Sequence, residues 1–191
     1  MKNRLICFIA SSKLSLRVAS ISIMSIFIVS CKSKQTLFTE LSADKTSIRF
    51  SNRITENDSI NILDNEYVYN GGGVGIADFN NDGLQDIYFT GNMVSNRLYL
   101  NKGNLAFEDV TAISKVSGEG KWCSGVAVVD INKDNLPDIY VCATLNNNAE
   151  KRKNILYINK GNNKNNVPIF EEMAASYGIA DTSHSTNAVF F

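Results

Sequence analysis

Histidine, proline and tryptophan are nearly missing from this 191-residue chain, which has one His, two Pro and one Trp. With His184 alone, imidazole metal centres have too few ligands, and His184-Ser185 with any Asp makes no triad. Excess positive charge is missing too. The 19 Lys and Arg are matched by 19 Asp and Glu, so no basic surface is offered and no nucleic-acid partner is expected. The composition also excludes wholesale disorder, with 44% hydrophobic and 20% charged residues. Apolar runs long enough to span a bilayer as a helix, ~20 residues, are lacking. What is plentiful is Asn, with 24 residues. Asn tolerates left-handed backbone and bonds its own main chain, so many tight turns are expected.

Residues 1–30 hold Lys2, Arg4, Lys13 and Arg17 and no acid, and Val18 to Val29 is apolar apart from Ser. A basic start, a short apolar stretch and small residues before a cleavage point read as a secretory signal. Ile28-Val29-Ser30-Cys31 resembles the lipobox of bacterial lipoproteins, with Ile28 where Leu is commoner. That resemblance implies acylation of Cys31 and a lipid anchor on a bacterial membrane, the outer membrane being expected. An ordinary signal peptide, or an anchor in which Cys31 is incidental, is the alternative. Residues 31–37 read as a polar tether. Removing 1–30 leaves 15 basic against 19 acidic residues, a net charge of −4. Of the four cysteines, Cys7 goes with the signal and Cys31 with the lipid, leaving Cys123 and Cys142, either as a bridge or as two buried thiols.

The rest of the chain repeats itself. Val74–Tyr88 recurs as Val126–Tyr140, 52 residues on; Asn96–Asn104 recurs as Asn154–Asn162 at an offset of 58; Phe107–Val110 recurs as Phe170–Met173 at 63. The growing offset places insertions in the Asn/Lys-rich stretches 146–154 and 162–168, which are loop compositions. Each copy carries four short runs rich in Val, Ile, Tyr and Phe: 73–78, 87–90, 97–101 and 106–111, then 125–130, 139–144, 155–159 and 169–174. Separated by Gly, Asn and Asp, they read as strands joined by hairpins. Four antiparallel strands per ~50–60-residue repeat describe a β-propeller blade, in an all-β fold. A β-sandwich is the competing reading, but it requires no identity between its halves.

The expected organisation is a segment at 38–72, repeats at 73–124 and 125–186, and the start of a third repeat at 187–191. Phe38–Ser42 resembles the fourth strand of each copy and is a candidate propeller-closing strand; another strand is expected at 47–50. Because propellers have 4–8 blades, about two blades imply a fragment of a longer protein.

Two loops carry the chemistry. Asp78-x-Asn80-x-Asp82-Gly83-Leu84-x-Asp86 is matched by Asp130-x-Asn132-x-Asp134-Asn135-Leu136-x-Asp138. Oxygens at positions 1, 3, 5 and 9, with the carbonyls of Leu84 and Leu136 at position 7, can converge on one point. Gly83 and Asn135 suit the sharp turn. Six or seven hard oxygens in a flexible ring favour Ca²⁺ over Mg²⁺, in a structural role. An EF-hand is excluded, because its twelfth position, a bidentate Glu, is Phe89 or Val141 here, and the flanks are strands. Plain Asp/Asn-rich hairpin turns are the alternative. No other segment promises catalysis. Gly71-Gly72-Gly73-Val74-Gly75 lacks a following Gly-Lys-Ser/Thr and reads as close backbone packing. Trp122 reads as a packing aromatic, and Lys151-Arg152-Lys153 as a solvated loop.

The Gly-Val-Gly-Ile-Ala strand followed by Asp-x-Asn-x-Asp-Gly-x-x-Asp-Ile-Tyr resembles the FG-GAP/VCBS-type repeat of integrin α-like propellers. The match is closer to bacterial multi-repeat lipoproteins with a C-terminal ASPIC/UnbV-type domain. The resemblance implies a propeller fold and Ca²⁺ at the matching positions. The expected function is a non-enzymatic binding or scaffold module for an extracellular glycan or protein. An enzyme acting on polysaccharide or another exported substrate, with catalytic groups outside this chain, is the alternative.

Overall fold

The computed structural model describes residues 37–118 and 120–191. The signal at 1–30, Cys31 and all but the last residue of the tether lie outside the described residues. The chain divides into two compact units, Met1–Glu40 and Leu41–Phe191. Of the first, residues 37–40 are described, and they are exposed.

The second unit is all-β. β1 (Val74–Ala77), β2 (Asp86–Phe89), β3 (Arg97–Asn101) and β4 (Phe107–Asp109) form one four-stranded sheet in chain order. β5 (Cys123–Val129), β6 (Asp138–Ala143), β7 (Ile155–Asn162) and β8 (Pro168–Glu172) form the second in the same order. Every neighbouring pair is antiparallel, so each sheet is a meander of hairpins. Two such sheets are consistent with β-propeller blades. β7 runs past its expected end at 159, because the ladder shifts register between Asn159 and Asn162. Three one-turn helices interrupt the connections: α1 (Ala43–Thr46), α2 (Thr111–Ser114) and α3 (Ala149–Arg152). Ser42 and Asn148 cap the first and last through their side chains.

The core lies between the sheets. Tyr88, Leu98 and Leu100 of the first sheet pack with Ile139, Val141, Ile155 and Tyr157 of the second. The far face of the second sheet is covered as well, with Tyr140, Cys142, Leu156 and Ile158 beneath Ile179, Ala180 and Ala188. This explains a difference between equivalent strands. β2 alternates buried and half-buried residues, whereas all six residues of β6 are buried. A sheet covered on both faces needs apolar side chains in both orientations.

Residues 47–50, expected as a strand, pair with no other strand. Instead the Phe50 ring stacks on Phe89 at 5.0 Å, and the Arg49 N–H donates to Tyr99 Oη at 3.4 Å. Phe38–Ser42 is likewise in no sheet and leads into α1.

The sheets meet along their first strands. The Gly73 N–H donates to the Ser124 carbonyl at 2.8 Å, and the Gly125 N–H, 52 positions on, donates to the Thr186 carbonyl at 3.1 Å. A Cβ on Gly73 would come within 2.9 Å of the Ser124 oxygen and the Val126 nitrogen. Glycine is what lets these backbones approach so closely.

Candidate metal centre

In each aspartate loop the first carboxylate folds back over the turn. Asp78 accepts from the Asp82 N–H at 3.0 Å and the Gly83 N–H at 2.7 Å; Asp130 accepts from the Asp134 N–H at 3.0 Å and the Asn135 N–H at 2.9 Å. This closure needs a left-handed residue at the sixth position, and Gly83 and Asn135 supply it at φ +87° and +65°. Asn81 and Lys133 are left-handed too, at +55° and +61°, which composition alone did not reveal. Asp82 then accepts from the Leu84 N–H at 2.9 Å and from Asn80 Nδ2 at 3.0 Å. Asp134 repeats both contacts, with the Leu136 N–H at 2.9 Å and Asn132 Nδ2 at 2.8 Å.

The ninth position ties strands together. Asp86 is fully buried, and its two oxygens accept from the Phe79 and Asn101 N–H groups, both at 2.9 Å. Asp138 holds Ile131 at 3.0 Å and Asn159 at 2.8 Å in the same way. Each carboxylate therefore links the loop after the first strand of its sheet to the third strand. Burial pushes the Asp86 carboxyl up to about 6; the two N–H bonds oppose the shift, and the charges of Asp82 and Asp78 reinforce it. Asp138 is raised by the same causes in the same order, with Asp134 and Asp130 as the neighbouring charges.

These side chains suit a hard cation in chemistry more than in their present orientation. Among the described residues, no three His, Cys, Asp or Glu side chains converge on one metal position. The carboxylates are turned onto the loops' own N–H groups. A carboxylate offers about four lone-pair sites, however, so Asp78, Asp82 and Asp86, with two accepted hydrogen bonds each, retain acceptor capacity. One oxygen lacks a partner altogether: Asn80 is 2% exposed, and its Oδ1 is buried without any hydrogen bond. Buried polar atoms are normally satisfied, and Asn80 is the third-position ligand of the expected set. The donor set fits a calcium ion.

Asn159, expected as the end of a strand, and Asn162 and Asn166, expected in a loop, turn out to surround this loop. Asn159 Nδ2 donates to the Phe79 carbonyl at 2.9 Å, Asn162 Nδ2 donates to the Asn80 carbonyl at 2.7 Å, and Asn80 Nδ2 donates to the Asn166 carbonyl at 3.2 Å. Asn96 and Asn154, visible in the sequence only as matched positions, close another repeated network. Asn96 accepts from the Gly91 N–H at 2.8 Å and donates to Tyr88 Oη at 2.8 Å, which donates to the Val116 carbonyl at 2.8 Å. Asn154, Ala143, Tyr140 and Ile179 repeat it at 2.8, 3.0 and 2.9 Å.

The remaining candidates take structural places. Trp122 is buried, and His184 Nδ1 accepts from the Leu145 N–H at 3.3 Å. Lys153 pairs with Glu150 at 2.6 Å. Cys123 and Cys142 are free, buried thiols, and burial pushes both up to about 11. A cleft of ≈ 970 Å³ opens at the other end of the sheets, where β1 and β5 begin and β6 ends, lined by Asp64, Glu66, Tyr67, Trp122 and His184 among others. No match is found among curated proteins. Residues 78–141, from the first aspartate of the first loop through most of β6, match the FG-GAP-like repeat.

Proposed function

We propose that the chain is an exported, lipid-anchored, calcium-stabilised repeat module that binds an extracellular glycan or protein and catalyses nothing itself. The observation that carries the calcium reading is the buried, unpartnered Asn80 Oδ1 in an aspartate loop that recurs in register one repeat later. Asp78, Asn80, Asp82, Asp86 and the Leu84 carbonyl would hold one ion. Asp130, Asn132, Asp134, Asp138 and the Leu136 carbonyl would hold the other. The ion supplies charge compensation: each loop places three carboxylates in nine residues, and at the ninth position their mutual repulsion adds to the burial of the carboxyl. Lacking the bidentate glutamate of an EF-hand, the loops should be weak sites, roughly 10⁻⁴–10⁻³ M, as in extracellular modules.

Export and anchoring rest on the basic, apolar, Ser30-Cys31 order of the leader, and acyl chains at ~0.8 kcal/mol per buried CH₂ would hold the module at a membrane. Ligand binding is supported by the cleft, whose exposed Tyr67 ring and Asp64 and Glu66 carboxylates suit the apolar faces and hydroxyls of a sugar. The test is a thermal melt of the purified chain with calcium or chelator. At 10 mM calcium, linkage gives about 1.4–2.7 kcal/mol per site, a rise of several degrees. Asp82→Ala with Asp134→Ala should remove it. A wild-type chain whose melting ignores calcium would refute the metal assignment.

A further inference from the structure

The two aspartate loops share a sequence pattern but have different surroundings. Around Asp78–Asp86, the hairpin made of β7, β8 and their turn reaches across from the second sheet to the first. Asn159 and Asn162 donate to the Phe79 and Asn80 carbonyls, and the Asn166 carbonyl receives Asn80 Nδ2. Beneath this contact Phe79 is fully buried, edge-on to Phe170 at 6.1 Å. The equivalent residues of the second loop are uncovered: Asn132 is exposed and Ile131 half-buried. The asymmetry reaches the oxygen that matters most, since Asn80 Oδ1 is buried and unpartnered. The Asn80 amide lies against the Asp82 carboxylate, held there by one Nδ2 contact to Asp82 and one to the other sheet.

We infer that the first loop is an inter-sheet cation site, completed by the β7–β8 hairpin of the second sheet. This rests on the calcium reading above and adds a coupling to it. The hairpin fixes the backbone on both sides of Asn80, so the third ligand is pre-oriented before an ion arrives. Lower ordering cost appears as affinity. By linkage, an ion in the first loop strengthens the packing of the two sheets as much as that packing strengthens the ion. Asn162 is a positioning residue in this arrangement. It contacts the Asn80 backbone and the Asn166 side chain, and is itself exposed.

Calorimetric titration of the full chain with calcium chloride separates the sites. In an Asp134→Ala background, which leaves the first loop, Asn162→Ala should weaken binding about fivefold, the equivalent of one net hydrogen bond. In an Asp82→Ala background, which leaves the second loop, the same substitution should change nothing. Asn162→Ser provides a second truncation should the alanine variant fail to fold. Equal weakening in both backgrounds, or none in either, overturns the inter-sheet site while leaving two calcium loops standing. A wild-type chain that takes up no calcium overturns this inference together with the reading it rests on.

Discussion

Removing one hydroxyl from each copy of the asparagine–tyrosine network should have unequal effects, and the inequality is calculable. In Tyr88→Phe, the Val116 carbonyl loses its donor and Asn96 Nδ2 its 2.8 Å acceptor. Both Tyr88 and Asn96 are fully buried, and what remains near the amide is Cys123 Sγ at 3.5 Å, a weak acceptor. Two buried groups without good partners cost about 1–3 kcal/mol each, so a loss of about 2–6 kcal/mol is expected. In Tyr140→Phe, Asn154 Nδ2 keeps a second acceptor, Ser185 Oγ at 2.9 Å. The hydrogen bond to the Ile179 carbonyl is only part-buried, so water can replace the lost donor. About 1–2 kcal/mol is expected there. At about 2–4 °C per kcal/mol for a unit of this size, the melting temperature should fall by roughly 4–24 °C for Tyr88→Phe and 2–8 °C for Tyr140→Phe. Circular dichroism at 218 nm reads both melts on paired samples in chelator. A Tyr140→Phe loss equal to or larger than that of Tyr88→Phe would refute the reasoning.

Two further outcomes follow from burial. Phe79→Ala should cost about 3–5 kcal/mol and Ile131→Ala, at the equivalent but half-covered position, roughly half as much; urea unfolding of the two variants checks the ratio. Cys123 and Cys142 should resist a colorimetric thiol reagent at pH 7.5 in the native chain and react fully in denaturant. Because folding raises both thiols above their ordinary value of 9.0 to about 11, their contribution to stability is complete below pH 9 and lost as pH rises toward 11. Melting temperature followed from pH 8 to pH 11 should therefore fall, and a Cys123→Ala, Cys142→Ala chain should fall less.

The strands and the aspartate loops were legible because both are written locally. A repeat of Val, Ile and Tyr runs between Asn and Gly fixes the hairpins, and a nine-residue pattern fixes the turn. The left-handed sixth position follows from that pattern, and Gly83 and Asn135 obey it. Residues 47–50 misled because Ser-Ile-Arg-Phe has strand composition, while a strand also needs a neighbour with free N–H groups. Phe50 found the ring of Phe89 instead. The roles of Asn96, Asn154, Asn159 and Asn162 were hidden for a related reason. An asparagine in a turn and an asparagine bonding across sheets have the same spelling, and what separates them lies 80 or more positions away for Asn159 and Asn162. Asp86 and Asp138 were read as ligands alone, and each also ties the start of its sheet's second strand to the loop after the first strand and to the third strand.

The insertion that lengthens the offset from 58 to 63 has a consequence for the order of the repeats. It lengthens the β7–β8 hairpin, whose ladder runs on to Asn162 and Pro168, and it carries Asn166, the residue whose carbonyl receives Asn80 Nδ2. The two units are thus not interchangeable bricks. A chain rebuilt with its copies transposed would keep every strand and both aspartate loops, yet the long hairpin would no longer follow the loop it fits. Adjacency is encoded here in a connection that looks like filler, and sequence position becomes an address that one repeat reads on the other.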